Sequence, residues 1–282
     1  MDYRLLVVIF FTAIVHFVAT LGSSVRVAGV RARSLAMAYS LWNVVFLVAS
    51  MANTIQAPFL GRMLDASSMA LSRYPQAELV RLTLYHETLQ RVAHDIRIIM
   101  LGATAGTALG VLVIPTFARL FTKGIIYFEK NRSVPHLLVR LVHPPTVWKI
   151  IQNISVPTVA TFKRNCRLVV PARFFVLNAI INGIYTTGVL SSLYAGVIYP
   201  SLARTTGTLA STVNGLATVM LATLVDPQAA AVTDQALRGE RTEADVKAVT
   251  MLMAVTRLIG TLLAQLFFLP AAYFVGAIAR LI

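Results

Sequence analysis

Six long stretches of the chain are almost free of charged residues, and the charges are concentrated in the segments between them. Each stretch is long enough to cross, as an α-helix, a hydrocarbon core of about 30 Å. Only the last one contains a charge, Arg257. The pattern predicts an all-α integral membrane protein with six transmembrane helices, at Leu5–Leu21, Leu35–Leu60, Ile98–Phe117, Phe174–Tyr199, Thr208–Val225 and Ala248–Ala277.

A short sequence occurs twice, 167 residues apart. Ala28–Val30 and, after three residues, Ser34–Ala36 reappear as Ala195–Val197 and Ser201–Ala203. A second, weaker repeat lies toward the end of each half, with Gly-Thr pairs at 106–107 and 260–261. Duplicated units are the usual build of secondary transporters. We therefore predict a three-helix repeat at residues 1–121, a linker at 122–171 and a second three-helix repeat at 172–282.

The number of helices in each repeat predicts their relative orientation. Because three is odd, the second copy must enter the membrane upside down relative to the first, as in inverted-topology transporters. The repeated loop carries Arg26, Arg31 and Arg33 in the first copy, whereas the aligned positions of the second copy are uncharged. Positively charged loops stay on the cytoplasmic side. We therefore predict a cytoplasmic first loop and extracytoplasmic termini.

The linker is strongly basic, with eight Lys or Arg residues against one Glu, so we place it on the cytoplasmic side as well. Between Leu137 and Ile154 its apolar and basic residues alternate. Such a segment either lies in the membrane interface or covers the inner ends of the transmembrane helices.

Arg257 lies about 15 Å from the start of the sixth stretch, at 1.5 Å per residue, and thus near the bilayer centre. A charge there costs several kcal/mol unless it is paired or faces water. Helical spacing places Thr250, Thr261 and Gln265 on the same face. A guanidinium is suited to bidentate phosphate contacts, so we predict that Arg257, Thr261 and Gln265 bind an anionic substrate. The alternative is a structural pairing of Arg257 with Asp226 or with helix-end carbonyls.

Other stretches also carry polar residues at helical spacing, including Ser211, Asn214 or Gly215, and Thr218 in the fifth. One such stripe more often forms helix–helix hydrogen bonds than a ligand site. Several stripes around a buried arginine favour a polar cavity between the helices. His16 is either a site of proton coupling or a neutral hydrogen-bonding partner. The predicted substrate-binding residues in these stripes are Asn43, Asn53, Gln56, Asn178 and Asn182.

Composition agrees with a membrane protein, since 57% of the residues are hydrophobic and 13% are charged. The sequence contains no metal-binding cluster, nucleotide-binding loop or nucleophile elbow, and we expect no metal, cofactor or nucleic-acid partner. A ridge of small residues lets another helix approach closely, either within the chain or across a homodimer. This ridge consists of Gly102, Gly106 and Gly110.

The run Arg26–Ser34, followed by Ser40–Asn43 and Asn53–Gly61, resembles the signature region of the Amj family. That family is the alternate lipid II flippase of bacteria. The resemblance implies a protein of the bacterial cytoplasmic membrane. Its substrate would be lipid II, an undecaprenyl pyrophosphate that carries a disaccharide-pentapeptide, moved from the inner to the outer leaflet.

On this interpretation Arg257 contacts the pyrophosphate midway across the membrane, and the polar stripes serve the sugar and peptide. Arg26, Arg31 and Arg33 would collect the headgroup at the inner face, although the positive-inside rule explains them equally well. Two other functions stay open. One is a transporter of a small anionic or polar solute, because an inverted repeat does not reveal cargo size. The other is an enzyme acting on a lipid phosphate, with His16 and Asp226 as its only acid–base candidates.

Overall fold

The computed structural model describes residues 3–75, 82–133 and 169–282, together with residues 78, 148, 152 and 154. The described part is helical throughout, with short 3₁₀ turns at Gly22–Ser24 and Pro200–Leu202 and a π-helical turn at Leu221–Val225. Its α-helices are α1 (Tyr3–Leu21), α2 (Val25–Arg31), α3 (Leu35–Leu71), α4 (Thr83–Asn131), α5 (Ala172–Ile198), α6 (Ala203–Met220), α7 (Asp226–Leu237) and α8 (Glu243–Leu281).

Six continuous helical segments in this part of the chain are long and apolar enough to span a membrane, which confirms the predicted number. They are Tyr3–Arg31, Leu35–Leu71, Thr83–Asn131, Ala172–Ile198, Pro200–Leu237 and Glu243–Leu281. The chain is therefore an all-α, multi-pass membrane protein.

Several helices are longer than the uncharged stretches. The segment 61–95, which the charges indicate as a loop, is mostly helical, because α3 continues to Leu71 and α4 begins at Thr83. Leu60, Leu64 and Leu71 recur at helical spacing and are buried against α4, so their burial extends α3 although charged residues lie between them.

The third membrane helix also continues beyond the apolar stretch, and α4 ends at Asn131, ten residues after the predicted end of the first repeat. Phe121 and Ile125 are buried in a cluster with Val25, Ala28 and Leu41, which holds this extension against α2 and α3. The boundary between repeat and linker at residue 121 thus falls inside a helix. The predicted interfacial helices of the linker fall largely outside the described residues.

Each half is built around its first long helix. In the first half α1 packs against α3 and α4, and in the second half α5 packs against α6 and α8. The echoed glycines occupy related places. A Cβ atom on Gly106 of α4 would collide with the backbone of Ala13 in α1, and one on Gly260 of α8 would collide with the backbone of Ala179 in α5. This likeness supports the duplicated build, and the inversion of the halves stays a prediction.

The small-residue ridge of α4 is used within the chain. Cβ atoms on Gly102, Gly106 and Gly110 would collide with Ile9, Ala13 and Thr20 respectively, so α1 covers the whole ridge. The ridge therefore gives no reason to expect a homodimer.

The two ends of the bundle have separate apolar clusters. One cluster joins Val27 of α2, Ala118 of α4, Phe174 of α5 and Val232 of α7. The first loop, the flanks of the linker and the connection between α7 and α8 consequently lie at the same end, as a six-span topology requires. We call it the α2–α7 end. The cluster at the opposite end includes Leu5, Leu64, Tyr85, Tyr194 and Phe268. Which end faces the cytoplasm stays a prediction.

Candidate functional site

A polar cavity lies between the two halves of the bundle. Helices α3 and α6 both line it, yet they make little contact with each other. The cavity is therefore bordered by a lateral gap between α3 and α6. It has two adjacent compartments, which share Ala19, Phe46 and Tyr185 in their walls.

The compartment nearer the α2–α7 end, here called the arginine compartment, has a volume of about 390 Å³. Two of the predicted arginines, Arg26 and Arg257, lie in its wall, and among the described residues Asp226 is the only carboxylate of that wall. Aromatic side chains complete the lining, from Tyr39, Trp42 and Phe46 of α3 and Tyr185 of α5.

Arg257 has no hydrogen-bond or ion-pair partner among the described residues, and its Nε atom is buried without an acceptor. The predicted alternative, a structural pairing with Asp226, is absent because Asp226 bonds Arg26 instead. An unpaired guanidinium in a membrane protein is costly unless it faces water or an anion. Arg257 lies in the cavity wall, so its side chain borders the open space of the arginine compartment.

Arg26 is one of the more deeply buried charged residues of the structure. Its side chain is 10% exposed, whereas that of its partner Asp226 is 53% exposed. One terminal nitrogen of Arg26 donates to Oδ1 of Asp226 at 2.9 Å, and Nε is buried without a partner. The guanidinium therefore retains capacity to bind a second acceptor in the arginine compartment.

The other two predicted arginines of the first loop are not part of the cavity wall. Arg31 donates from Nε to Glu243 at 2.8 Å, and Lys247 contacts the same carboxylate at 2.7 Å. Arg33 is exposed, in a left-handed backbone conformation with φ of 52°. Sequence reasoning grouped the three arginines, but the structure separates Arg26 from the other two.

Two predicted asparagines on α5 lie in the wall of the arginine compartment. The amide nitrogen of Asn178 donates to Oγ1 of Thr256 at 2.7 Å, and that of Asn182 donates to Oδ1 of Asn178 at 3.0 Å. Both side chains are buried. Their donors are thus used in fastening α5 to α8 and within α5, which leaves them a smaller capacity for substrate than the arginines.

The second compartment, here called the amide compartment, has a volume of about 160 Å³ and no charged residue in its wall other than His16 if that is protonated. Thr12 donates to Oε1 of Gln56 at 3.0 Å, and Nε2 of Gln56 donates to Oδ1 of Asn53 at 3.1 Å. Two polar atoms are buried without partners, Nδ1 of His16 and Oδ1 of Asn214. The wall contains no carboxylate that would exchange a proton with His16.

Three further predicted residues lie outside both compartments. Both ends of the Gln265 side chain bond Arg97 of α4: Arg97 donates to Oε1 at 3.3 Å, and Nε2 donates to the Arg97 carbonyl at 3.0 Å. Thr261 is fully buried and donates to the carbonyl of Leu258 in its own helix. Asn43 is exposed on α3. Their roles in substrate binding stay predictions, without support from the geometry.

The structure adds residues that the sequence did not single out for the site. Tyr185 lies in the wall of both compartments, and it follows Asn182 by one helical turn, which is the signal that would have found it. Trp42 belongs to the motif region, and the structure places it in the wall of the arginine compartment, although the sequence did not predict a binding role for it. Asn214 was placed in a polar stripe, and its unpartnered oxygen now assigns it to the amide compartment.

The fold defines the class of protein, a multi-pass membrane protein, and the arginine compartment gives it a partly cationic internal cavity. Comparison with known proteins then gives the family. Residues 11–279 match the family model described as "Amj: Alternate to MurJ". The chain is also similar to the lipid II flippase Amj of Bacillus subtilis strain 168, with 31% identity over 98% of this chain and 97% of that protein.

The chain therefore belongs to the Amj family, as the motif region predicted. No solved structure matches it. Because this family is of the transporter type, the alternative function of an enzyme acting on a lipid phosphate is excluded.

Proposed function

We propose that this chain is a lipid II flippase of the bacterial cytoplasmic membrane. The relative from Bacillus subtilis bears that name and covers almost the whole chain. In the geometry, one observation carries the proposal: Arg257, a guanidinium without a partner among the described residues, lies in a cavity wall between the two halves. Such a site offers an anionic headgroup the charge and hydrogen bonds that it loses on leaving water.

The arginine compartment suits the pyrophosphate. A guanidinium binds phosphate oxygens through two parallel N–H bonds, and this pairing is stronger where water is scarce. Tyr185, in the same wall as Arg257, offers a hydrogen bond to the adjoining sugar, and Asn178 and Asn182 contribute less because their amide donors are used within the protein. The amide compartment, which is neutral, suits the hydroxyl and amide groups of the sugar and peptide.

The gap between α3 and α6 suits the polyprenyl chain. Both helices carry exposed large apolar side chains of the kind that contact lipid, for instance Leu47 at 59% and Met51 at 64% on α3, and Leu216 at 62% on α6. A lipid headgroup can thus occupy the cavity while its tail stays among other lipids. The same gap disfavours the rival function, since a small soluble anion needs no lateral opening.

The direction of transport is part of the proposal. The arginine compartment lies nearer the α2–α7 end, which carries the basic first loop and is predicted to be cytoplasmic. The headgroup would enter there, reach Arg257 and pass toward the amide compartment and the outer leaflet. His16, in that second compartment, is proposed as a neutral hydrogen-bonding partner along this path rather than as a proton carrier.

Complementation tests the proposal. The chain is expressed in bacteria depleted of their essential lipid II flippase, and growth is scored together with labelling of lipid II at the cell surface. We expect the wild-type chain to restore both, and Arg257→Leu to restore neither. Arg280→Leu is the matched control, because it removes an arginine from the same helix outside the cavity and should still rescue.

Failure of the wild-type chain to rescue, with the protein present in the membrane, would count against lipid II and favour a small-solute transporter. Full rescue by Arg257→Leu would instead retain lipid II and reject the role of Arg257.

A further inference from the structure

Arg26 and Arg31 are both basic residues of the first loop, but their surroundings in the structure differ. Each forms an ion pair between the first loop and the second half of the chain, Arg26 with Asp226 at 2.9 Å and Arg31 with Glu243 at 2.8 Å. The Arg26 pair lies in the wall of the arginine compartment, whereas the Arg31 pair does not. The two pairs therefore form a natural comparison between an ion pair inside the cavity and one outside it.

Arg26 shares its compartment with Arg257, and each has a buried Nε atom without an acceptor. Two guanidiniums thus face one space of about 390 Å³ that contains a single carboxylate in its wall. An oxygen of Asp226 occupies one nitrogen of Arg26 and leaves the other directions open. A doubly charged anion with several oxygens would satisfy both arginines more completely than this carboxylate does.

Asp226 is also the partner that can move at low cost. Its side chain is 53% exposed, so the surrounding helices restrain the carboxylate far less than they restrain Arg26, which is 10% exposed. It directly follows the π-helical turn Leu221–Val225. Turns of this kind are frequent at functional sites.

We propose that Arg26 and Arg257 form one two-guanidinium site for a pyrophosphate group, and that Asp226 holds Arg26 until the anion takes its place. This proposal rests on the proposed function, since it names where the pyrophosphate of the lipid binds. Displacement of Asp226 removes an ion pair that links α2 to α7. Anion binding and loosening of the two halves at that end are thereby coupled, because Asp226 occupies one of the nitrogens that a bidentate phosphate contact to Arg26 would use.

Trp42 gives a direct readout, because it lines the arginine compartment and the sequence has only one other tryptophan, Trp148. The full chain with Trp148→Phe, reconstituted in nanodiscs, is titrated with inorganic pyrophosphate while Trp42 fluorescence is followed. We expect saturable binding. Asp226→Asn should lower the Kd for pyrophosphate about tenfold, the size expected when a charge-assisted hydrogen bond no longer competes.

The matched control is Glu243→Gln, which removes a carboxylate from the other ion pair between the same two parts of the chain. It should leave the Kd within about twofold, since an exposed pair outside the cavity contributes little. Arg26→Gln should raise the Kd about tenfold, and in that background Asp226→Asn should have no further effect. This cycle separates displacement from a general change in charge.

An unchanged or higher Kd in Asp226→Asn, with the variant folded by size-exclusion chromatography, would overturn the proposal. An equal decrease in Glu243→Gln would do so too, because it would indicate long-range electrostatics alone. Inorganic phosphate and farnesyl pyrophosphate serve as parallel probes. Tighter binding of both pyrophosphates than of phosphate supports a two-guanidinium site, and equal binding of all three argues against it.

These outcomes are distinct from failure of the proposed function. Pyrophosphate binding with the expected Asp226→Asn effect, in a chain that does not rescue flippase-depleted cells, would support the two-guanidinium site and reject lipid II as the cargo. Rescue by a chain in which the Asp226→Asn effect is missing would retain lipid II and reject the role of Asp226.

Discussion

The two compartments of the cavity meet at Ala19, Phe46 and Tyr185 but differ in chemistry. In the arginine compartment positive charge exceeds negative charge, since the wall contains two guanidiniums and one half-exposed carboxylate, which bonds Arg26. In the amide compartment neutral side chains largely satisfy one another, from Thr12 through Gln56 to Asn53. An anion therefore gains most in the first, whereas an uncharged polar group finds only single open positions in the second. Under the proposed function, the arginine compartment would supply most of the binding strength and the amide compartment would serve passage of the headgroup.

The largest effect should come from Arg257. Arg257→Leu is expected to weaken pyrophosphate binding about a hundredfold, because it removes one or two charge-assisted hydrogen bonds. Asn214→Leu, which alters only the amide compartment, should leave pyrophosphate affinity within about twofold. Titration with Trp42 fluorescence measures both. Equal losses in the two variants would show that the compartments act as one site and would abolish the comparison.

A second prediction concerns Gln265, which shares a helix with Arg257 but bonds Arg97. Gln265→Leu should lower the free energy of unfolding by about 1–3 kcal/mol, since it strands the hydrogen-bonding groups of a half-buried arginine. Pyrophosphate affinity should not change. Arg257→Leu should show the opposite behaviour, with unchanged or raised thermal stability and lost affinity, because it removes a charge without a partner.

Thermal unfolding in detergent and pyrophosphate titration, performed on both variants, check this reversal. A loss of affinity in Gln265→Leu at unchanged stability would return Gln265 to the substrate site.

A third prediction tests the amide compartment. Replacement of His16 by Leu should slow the appearance of lipid II at the cell surface severalfold, because a hydroxyl or amide of the passing headgroup loses a hydrogen-bond partner worth about 1 kcal/mol. Pyrophosphate affinity should stay unchanged. Surface labelling measured over time provides the rate, and normal transport in this variant would remove His16 from the path.

The smallest effect is expected for Arg31. Arg31→Gln breaks a partly exposed ion pair with Glu243, and such pairs contribute about 0–1 kcal/mol. Neither pyrophosphate affinity nor rescue should change measurably. If Arg31→Gln weakened binding as strongly as Arg26→Gln, the limit of the arginine compartment would have to be extended to the surface of the first loop.

Much of the fold follows from local sequence properties, and the site follows from them only in part. Arg257 could be singled out because one charge in a long apolar helix has few structural explanations. Helical spacing also placed Gln265 on the same face as Arg257, yet a helix as long as α8, with 39 residues, changes neighbours along its length. Near Arg257 the helix faces the cavity. About two helical turns further on, at Gln265, it faces α4 and Arg97.

The ends of the helices show the same limit. Hydropathy predicted that the second span ends at Leu60, but the helix continues to Leu71. Charged residues interrupt the apolar stretch there, while Leu64 and Leu71 still bury one face against α4. Burial on one face is sufficient for a helix that leaves the hydrocarbon core, and hydropathy averaged around the helix does not detect it.

The sequence by itself determined six apolar spans, one arginine deep within them and the motif region of the Amj family. These properties are encoded locally, because the transfer of side chains from water to lipid depends on composition and helical periodicity. Only the tertiary structure decided that Arg26 bonds Asp226, 200 residues away, and that Arg257 finds no partner in the part of the chain that the structure describes. Such pairings depend on how distant helices pack, and each position in a polar stripe is compatible with either a neighbouring helix or a cavity until that packing is known.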